Sequence, residues 1–332
     1  MTTTPETLTE LSAETATTTS TQVPTKAPTH KLTVVVVNWN AGDQIRRCLE
    51  SLEANYPAIV VDNASTDGSC DGIDSMDNVM LINAGENLGF GKACNLGAMQ
   101  ASSEYVLFLN PDAAVFPGTI ERSLQAMDGP ANANVGICGV QLVDAAGQVA
   151  RSCARFPSLW TFFAQSIGLD RFVPKLGLLM TNWRHDHTGQ VDHVIGAYFL
   201  VRKSLFKNLK GFDERFFLYL EDLDFSKRAQ MTGWHSLYLA DVQAFHAGGG
   251  TSNQIKARRL FYVLRSRLIY ADKHFGRMGT WLVITATCLL EPFSRSALAL
   301  SRRSWSELRE TWQGFGMLWG WLPKWLLRGV TR

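Results

Sequence analysis

The stretch LTVVVVNWNAG, residues 32–42, decides the fold of this 332-residue chain. Its first six residues are β-branched or apolar with no polar alternation, the pattern of a strand covered on both faces. The run stops at Asn38-Trp39-Asn40-Ala41-Gly42, which reads as a loop. A dinucleotide site would place G-x-G-x-x-G directly after such a strand. NWNAG stands there instead, so a Rossmann dehydrogenase is excluded.

Outward from this stretch the chain alternates. Asp43 is placed to cap a helix whose Ile45, Leu49 and Leu52 share one side. AIVVD (58–62) and VMLIN (79–83) read as strands, a helix is expected from about Gly91 to Ser102, YVLFLN (105–110) is a fourth strand, and 117–127 a further helix. Strand–helix alternation at this pace predicts βαβ units, an α/β fold with a mostly parallel sheet flanked by helices. Farther on, 135–143, 147–152, 193–203 and 235–246 are strand-like. A short helix runs to Leu209, Glu221–Gly233 is helical, and 255–275 is a basic helix. Residues 158–190 give no clear pattern.

The two ends differ from this middle. Residues 1–30, rich in Thr with few apolar residues, cannot bury enough surface to order themselves and are expected to be a disordered tail without a targeting signal. Residues 31–252 form the sheet domain and 253–332 a helical extension. In the extension Trp305, Leu308, Trp312, Phe315, Trp319 and Leu322 recur at helical steps, with seven Arg or Lys against two Glu from Arg295 onward. That amphipathic stripe suits a membrane interface. The other reading is a stripe that docks on the sheet domain or on a second copy, giving a homo-oligomer. Gly314, Gly316, Gly320 and Pro323 argue against one long rigid helix. The apolar run 281–290 is too short to span a bilayer, which needs about 20 residues.

Composition narrows the function. A net charge of +2 gives no sign of a nucleic-acid partner. Six scattered cysteines without a C-x-x-C pair fit a reducing compartment and no zinc site.

Chemistry-bearing residues gather at strand ends. FLNPDAAV (108–115) ends a buried strand on Asn110 and Asp112. Asn-Pro and Asp are turn residues, yet open α/β folds hold their ligands at the carboxyl ends of strands. Asn40, Asp62 and Asn87 follow the other three strands, so four ends converge on one edge and favour a site. GENLGFGKACNLG (85–97) lacks the P-loop spacing, but its backbone N–H groups and Lys92 can face a phosphate. In YLEDLDFSKR (219–228), Glu221, Asp222 and Asp224 open a helix. Acids there complement the macrodipole, though three in four residues repel one another and point to a task or a partner cation. His246 ends a strand before Gly248-Gly249-Gly250, a place where imidazole suits Mn²⁺ and similar ions.

VVVVNWN, VVDNASTDGS, ENLGFGKACNLG, FLNPDAAV, GAYFLVRKSLF, GFDERFFLYLEDLDFSKR and the late His246 occur in the order seen in family 2 glycosyltransferases. Over about residues 31–250 the chain resembles the rhamnosyltransferase branch, which builds bacterial cell-envelope polysaccharides. The resemblance implies a GT-A fold and an inverting transfer. The donor would be a nucleotide sugar, dTDP-rhamnose, or with the same chemistry UDP-galactofuranose or a UDP-N-acetylhexosamine. The acceptor would be a polyprenyl-diphosphate-linked saccharide or polysaccharide. It implies Asp62, Asn87, Asn40, Lys92 and Asn110 around the nucleotide. Asp112 of the DxD-type motif and His246 would hold Mg²⁺ or Mn²⁺, Asp222 would be the base, and Glu221 would orient the acceptor or the base. Asn110 stands where many relatives have Asp, so the metal is expected to arrive with the nucleotide; the same departure is the one support for the alternative of a non-catalytic, membrane-bound assembly partner, against which Asp112, Asp222 and His246 stand. Trp183 and Asp224 are expected on the acceptor side, with Arg184 and His193 nearby. The location implied is the cytoplasmic face of the inner membrane, held by the basic helix and the Trp-rich tail.

Overall fold

A computed structural model describes residues 1–2, 30–248 and 255–329. The Thr-rich stretch 3–29 and the end of the glycine run, Gly249–Gly250, lie outside the described residues. In chain order the strands are β1 (Leu32–Asn38), β2 (Ala58–Asp62), β3 (Val79–Asn83), β4 (Tyr105–Leu109), β5 (Ala113–Val115), β6 (Val135–Val143), β7 (Cys153–Ala154), β8 (Gly189–Val191), β9 (His193–Val194), β10 (Tyr198–Arg202) and β11 (His235–His246). The helices are α1 (Gln44–Glu50), α2 (Phe90–Gln100), α3 (Thr119–Asp128), α4 (Leu159–Ile167), α5 (Lys203–Asn208), α6 (Glu221–Met231), α7 (Lys256–His274), α8 (Gly276–Thr285), α9 (Glu291–Ser301) and α10 (Trp305–Arg328).

Nine strands form the main sheet in the order β3-β2-β1-β4-β10-β6-β11-β5, with β8 on β11. β1 is parallel to β2 and β4, and β2 to β3, as the alternation predicts. β10 runs antiparallel to β4 and β6, so the second half of the sheet is mixed. β1 is buried throughout. Its period-2 side chains divide between two cores: Val34 and Val36 meet Ile45 and Leu49 of α1, while Val35 and Val37 meet Ala93 and Cys94 of α2. Both faces need apolar residues, which is why LTVVVV shows no alternation. Gly97 of α2 lies so close to β1 that a Cβ there would sit 2.6 Å from Val35.

Four expectations change. Asp43 stands at the N-cap of α1 but makes no side-chain capping bond. Residues 147–152 form no strand, only a bridge from Val149 to Val143. The unread 158–190 contain α4, closed by a Ser158–Thr161 capping box. α10 runs unbroken for 24 residues with Pro323 inside it.

The helical extension is no separate body. Phe315, Leu318, Trp321 and Trp325 of α10 share a core with Leu264 and Leu268 of α7, and with Ala154, Phe162, Phe216 and Leu223 of the preceding chain. Of the predicted stripe, only Phe315 is fully buried, while Trp305, Trp312 and Trp319 face outward. α8, a π-helical turn Ala286–Leu290 and α9 make one continuous run, Gly276–Ser301. By length and composition that run could cross a membrane, but 44% of its apolar window is buried in the protein.

Candidate active site

The carboxyl ends of β1, β2 and β4 bring the first group together. Asn38, fully buried, donates to Ser65 Oγ at 3.0 Å, Ser69 Oγ at 2.8 Å and Asp62 Oδ1 at 3.4 Å. It thereby folds the Asp62–Cys70 loop over the end of β1. Asn40, at φ +53°, accepts from Thr66 N at 2.7 Å through its side chain. Its amide oxygen therefore shapes this loop, and that is the role visible for it. Asp62 is half-buried and accepts from Ser65 N. Buried Asn63, which the sequence reading passed over, donates to Asn87 Oδ1 at 3.0 Å and accepts from Leu88 N at 2.8 Å. Asn87 itself is exposed, and Lys92 is half-buried in the first turn of α2. Gly89 is needed here: at φ +78°, a Cβ would lie 2.3 Å from the Phe217 carbonyl.

The second group is Asp112 with His246. β5 pairs with β11 so that His246 lies opposite Ala113, and Ala247 N donates to the Asp112 carbonyl at 3.0 Å. This brings His246 Nε2 within 3.3 Å of Asp112 Oδ1, both side chains largely buried. Residues 134 apart in the chain thus present a carboxylate and an imidazole to one point. Among the described residues no three His, Cys, Asp or Glu cluster for a metal. One carboxylate and one imidazole still fit a Mg²⁺ or Mn²⁺ ion that takes its other ligands from water and substrate phosphates. Asn110 is half-buried beside them, its N–H given to the Ala197 carbonyl at 3.1 Å.

The third group surrounds Asp222. Two non-glycine residues with positive φ, Tyr219 (+70°) and Leu220 (+66°), turn the chain into α6. Such conformations cost energy and persist where packing fixes them. Here α7 does so: Ser266 Oγ donates to the Leu218 carbonyl at 2.7 Å, and Arg265 lies 5.3 Å from the Phe217 ring centre. Asp222 follows in the first turn of α6 with an 18% exposed side chain. Its Oδ2 accepts from Gly196 N at 2.8 Å and its Oδ1 from Leu223 N at 2.8 Å. A Cβ on Gly196 would stand 3.0 Å from Oδ2, so any side chain there would crowd the carboxylate. Burial acts to raise the Asp222 carboxyl, but His193 and these two N–H groups outweigh it and hold it below the usual carboxylate range.

His193 is buried, with Nε2 3.5 Å from Asp222 Oδ2. Its Nδ1 lies 2.9 Å from Ser226 Oγ, and that hydroxyl donates to the Asp222 carbonyl at 3.1 Å. Sequence reading put His193 only near the acceptor side. The signal that could have found it, a polar residue in an apolar strand end, becomes specific only once α6 is laid against β9. Glu221 is buried beneath Asp222 with Oε2 unpartnered. Burial, then the Asp222 charge, push its carboxyl well above the usual range.

Of the two residues expected on the acceptor side, Asp224 is closed off by the fold. Asp224 is fully buried and bound by Arg228, Lys273 and His274 within 2.8–2.9 Å. This ion cluster ties α6 to α7, and the carboxylate is closed to any acceptor. Trp183 is half-buried, stacked on His185 at 4.4 Å between ring centres and set edge-on to Tyr238.

The second and third groups are joined through the backbone. Gly196 N binds the Asp222 carboxylate, and the carbonyl of the following residue, Ala197, accepts from Asn110 N. One dipeptide therefore joins the candidate base to the Asn110–Asp112 loop.

The family model of glycosyl transferase family 2 matches residues 33–210. The N-acetylglucosaminyl-diphospho-decaprenol L-rhamnosyltransferase of Mycobacterium tuberculosis is 31% identical, over 75% of this chain and 86% of its own. The rhamnosyltransferase WbbL of Escherichia coli K12 is 27% identical, over 74% and 97%. Among solved structures, the mannosyltransferase PcManGT of Pyrobaculum calidifontis, in complex with GDP-Man and Mn²⁺, superimposes with a TM-score of 0.51. It is 18% identical, over 92% of this chain and 83% of that one. The sheet order, the converging strand ends and these likenesses agree on the GT-A fold, and the chain belongs to glycosyl transferase family 2.

Proposed function

We propose that this glycosyltransferase moves rhamnose from dTDP-rhamnose, with inversion, onto a polyprenyl-diphosphate-linked saccharide at a membrane surface. The observation that carries the reading is the dipeptide link between Asp222 and the Asn110–Asp112 loop. It sets a base beside the place where a leaving diphosphate would be held. The rhamnosyltransferase relatives support the sugar, and the decaprenol-linked substrate in one relative's name supports the acceptor.

In this reading Asp222 takes the proton from the acceptor hydroxyl as that oxygen attacks the anomeric carbon. The bond from that carbon to the nucleoside diphosphate breaks, and the electron pair leaves with the diphosphate. Gly196 N–H and Leu223 N–H hold the carboxylate oriented. Asp112 and His246 would hold Mg²⁺ or Mn²⁺, which when bound neutralises charge on the departing diphosphate. Asp62, Asn87 and Lys92 line the nucleotide side, while Asn38, Asn40 and Asn63 shape its loops. Glu221, buried with Oε2 unpartnered, orients the base from below. The outward tryptophans of α10, among basic residues, support peripheral attachment at the cytoplasmic face of the inner membrane.

The test is donor turnover by purified protein with Mg²⁺ or Mn²⁺ and a short polyprenyl-diphosphate saccharide. dTDP-rhamnose, UDP-galactofuranose and UDP-N-acetylglucosamine are offered in turn. Release of dTDP alone, lowered about 10²–10⁴-fold in Asp222→Asn, is the expected result. Release from a UDP donor instead would move the specificity to one of the other sugars. Unchanged turnover in the variant would remove Asp222 as the base.

A further inference from the structure

We propose that α4 and the turn after it, residues 159–173, form a bilayer-docking face together with α8–α10. The chain would then meet an anionic membrane through two stretches far apart in sequence. The proposal rests on the membrane attachment above and gives the irregular middle of the chain a role.

The distribution of exposed apolar side chains is the first observation. Of the large hydrophobic residues exposed among the described residues, seven fall in 159–173 and twelve in 278–327. Only six lie anywhere else. Solitary exposed hydrophobics need no explanation, but a concentration of this kind marks an interaction surface.

The second observation is that these stretches lie side by side. Leu159 at the start of α4 abuts Gly279 of α8, where a Cβ would be 3.2 Å from its Cδ2. At the other end of α4, Ser294 Oγ of α9 donates to the Ser166 carbonyl at 2.6 Å. Trp160 and Phe163 stand edge to face on α4. Phe293 of α9 meets Trp312 of α10, which meets Trp319. Aromatic contacts and helix packing therefore run from one stretch to the other.

The occupant follows from the chemistry. Trp160, Trp281, Trp305, Trp312 and Trp319 are exposed, and indole favours the headgroup level of a bilayer. A cleft at the same helix junction is lined by Arg171, Lys256, Arg295 and Arg302, against Glu307 and Glu310. Residues 276–329 hold seven Arg or Lys against three Glu, one of which is buried Glu291. Tryptophan mixed with surplus cations suits an anionic lipid surface better than a second copy carrying the same charge. The helix run lies on this surface rather than through it. Glu291 is fully buried in an ion pair with Arg267 of α7 and also binds Arg295, and crossing the bilayer would pull it from Arg267.

The experiment is flotation of the full chain with phosphatidylglycerol-containing vesicles and with pure phosphatidylcholine vesicles. It uses Trp160→Glu/Phe172→Glu on the α4 side, Trp305→Glu/Trp312→Glu on the tail side, and Met231→Glu as an exposed control off the face. Near-UV circular dichroism verifies folding, and single Trp160→Ser and Phe172→Ser changes replace any double variant that misfolds. Expected are binding that prefers the anionic vesicles, a loss of about tenfold or more on each side of the face, and no change in the control. Wild-type-like binding by the α4 variant, with the tail variant released, would overturn the α4 role and leave membrane attachment standing. No binding by the wild type would overturn the attachment itself. A lipid-free dimer made monomeric by the α4 variant, with vesicle binding unchanged, would make this face an interface between copies and overturn the proposal.

Discussion

Asp222 has both oxygens engaged by backbone N–H groups, and His193 is the side chain that packs against it. With the Ser226 hydroxyl proton given to the Asp222 carbonyl, His193 Nδ1–H donates to Ser226 and the ring is fixed. Nε2 then faces the carboxylate at 3.5 Å. Under the proposed mechanism, His193→Ala should lower kcat about 10–100-fold with the donor KM little changed, because a misplaced base loses rate rather than substrate affinity. His193→Gln, which keeps a polar end near Ser226, should recover part of the loss. Steady-state kinetics on folded protein check this, and an equal rise in KM would place His193 in substrate binding. The placement of Asp62, Asn110, Asp112 and His246 at or just after strand ends, and of Asp222 at the start of a helix, was legible because short polar motifs mark those places; the roles given to them remain the proposal's. Asn38, Asn63 and His193 were not. Each sits in or against an apolar run, and its partners come from loops or helices that only the fold brings near.

At the scale of elements, α6 and α7 meet through Asp224. The sequence suggested a task for every acid in YLEDLDFSKR, since repulsion among three acids asks for a cation. The partners exist, but α7 supplies two of them, Lys273 and His274, from about 50 residues away. Proximity along the chain therefore could not separate Asp222 from Asp224, whereas the helical turn sends them to different surroundings. Burial opposes ionisation of Asp224, but His274, Arg228 and Lys273 outweigh it and hold its carboxyl below the usual range. A depressed folded-state value means the stabilisation is present above about pH 4 and is lost as the pH falls below it. Asp224→Asn should cost about 3–5 kcal/mol at neutral pH, because partly buried cations lose their counter-ion. Urea unfolding at pH 7 and at acid pH should show the gap to wild type narrowing on acidification. A constant gap would mean that the cluster carries no net charge stabilisation. α10 shows the opposite limit: its glycines and Pro323 weaken local helix propensity, yet packing on α7 keeps it continuous.

At the scale of the whole molecule, the sheet domain does not end where its motifs end. Phe216 and Leu223, which flank the strained entry to α6, are buried against α7, α8 and α10. A chain cut after residue 254 should lose that shared core, and with it the conformation of Tyr219 and Leu220. Such a fragment is expected to aggregate or to bind nucleotide far more weakly than the full chain. Size-exclusion chromatography with nucleotide titration checks this, and a monodisperse fragment of full affinity would show the extension to be dispensable for the site. The helical extension was legible as helix and as amphipathic. Its integration was not, because a stripe of large apolar residues looks the same whether it meets protein or lipid. On α10 one face is buried in protein and another is exposed. At this scale Gly196 and Ala197 are a two-residue spacer. The N–H of one meets the Asp222 carboxylate and the C=O of the other meets the Asn110 N–H, so in the proposed reaction the backbone torsions between them set the distance from proton removal to phosphate departure. Under that proposal a donor sugar of another shape is fitted by the side chains around the spacer, which leaves the chemistry constant while specificity changes.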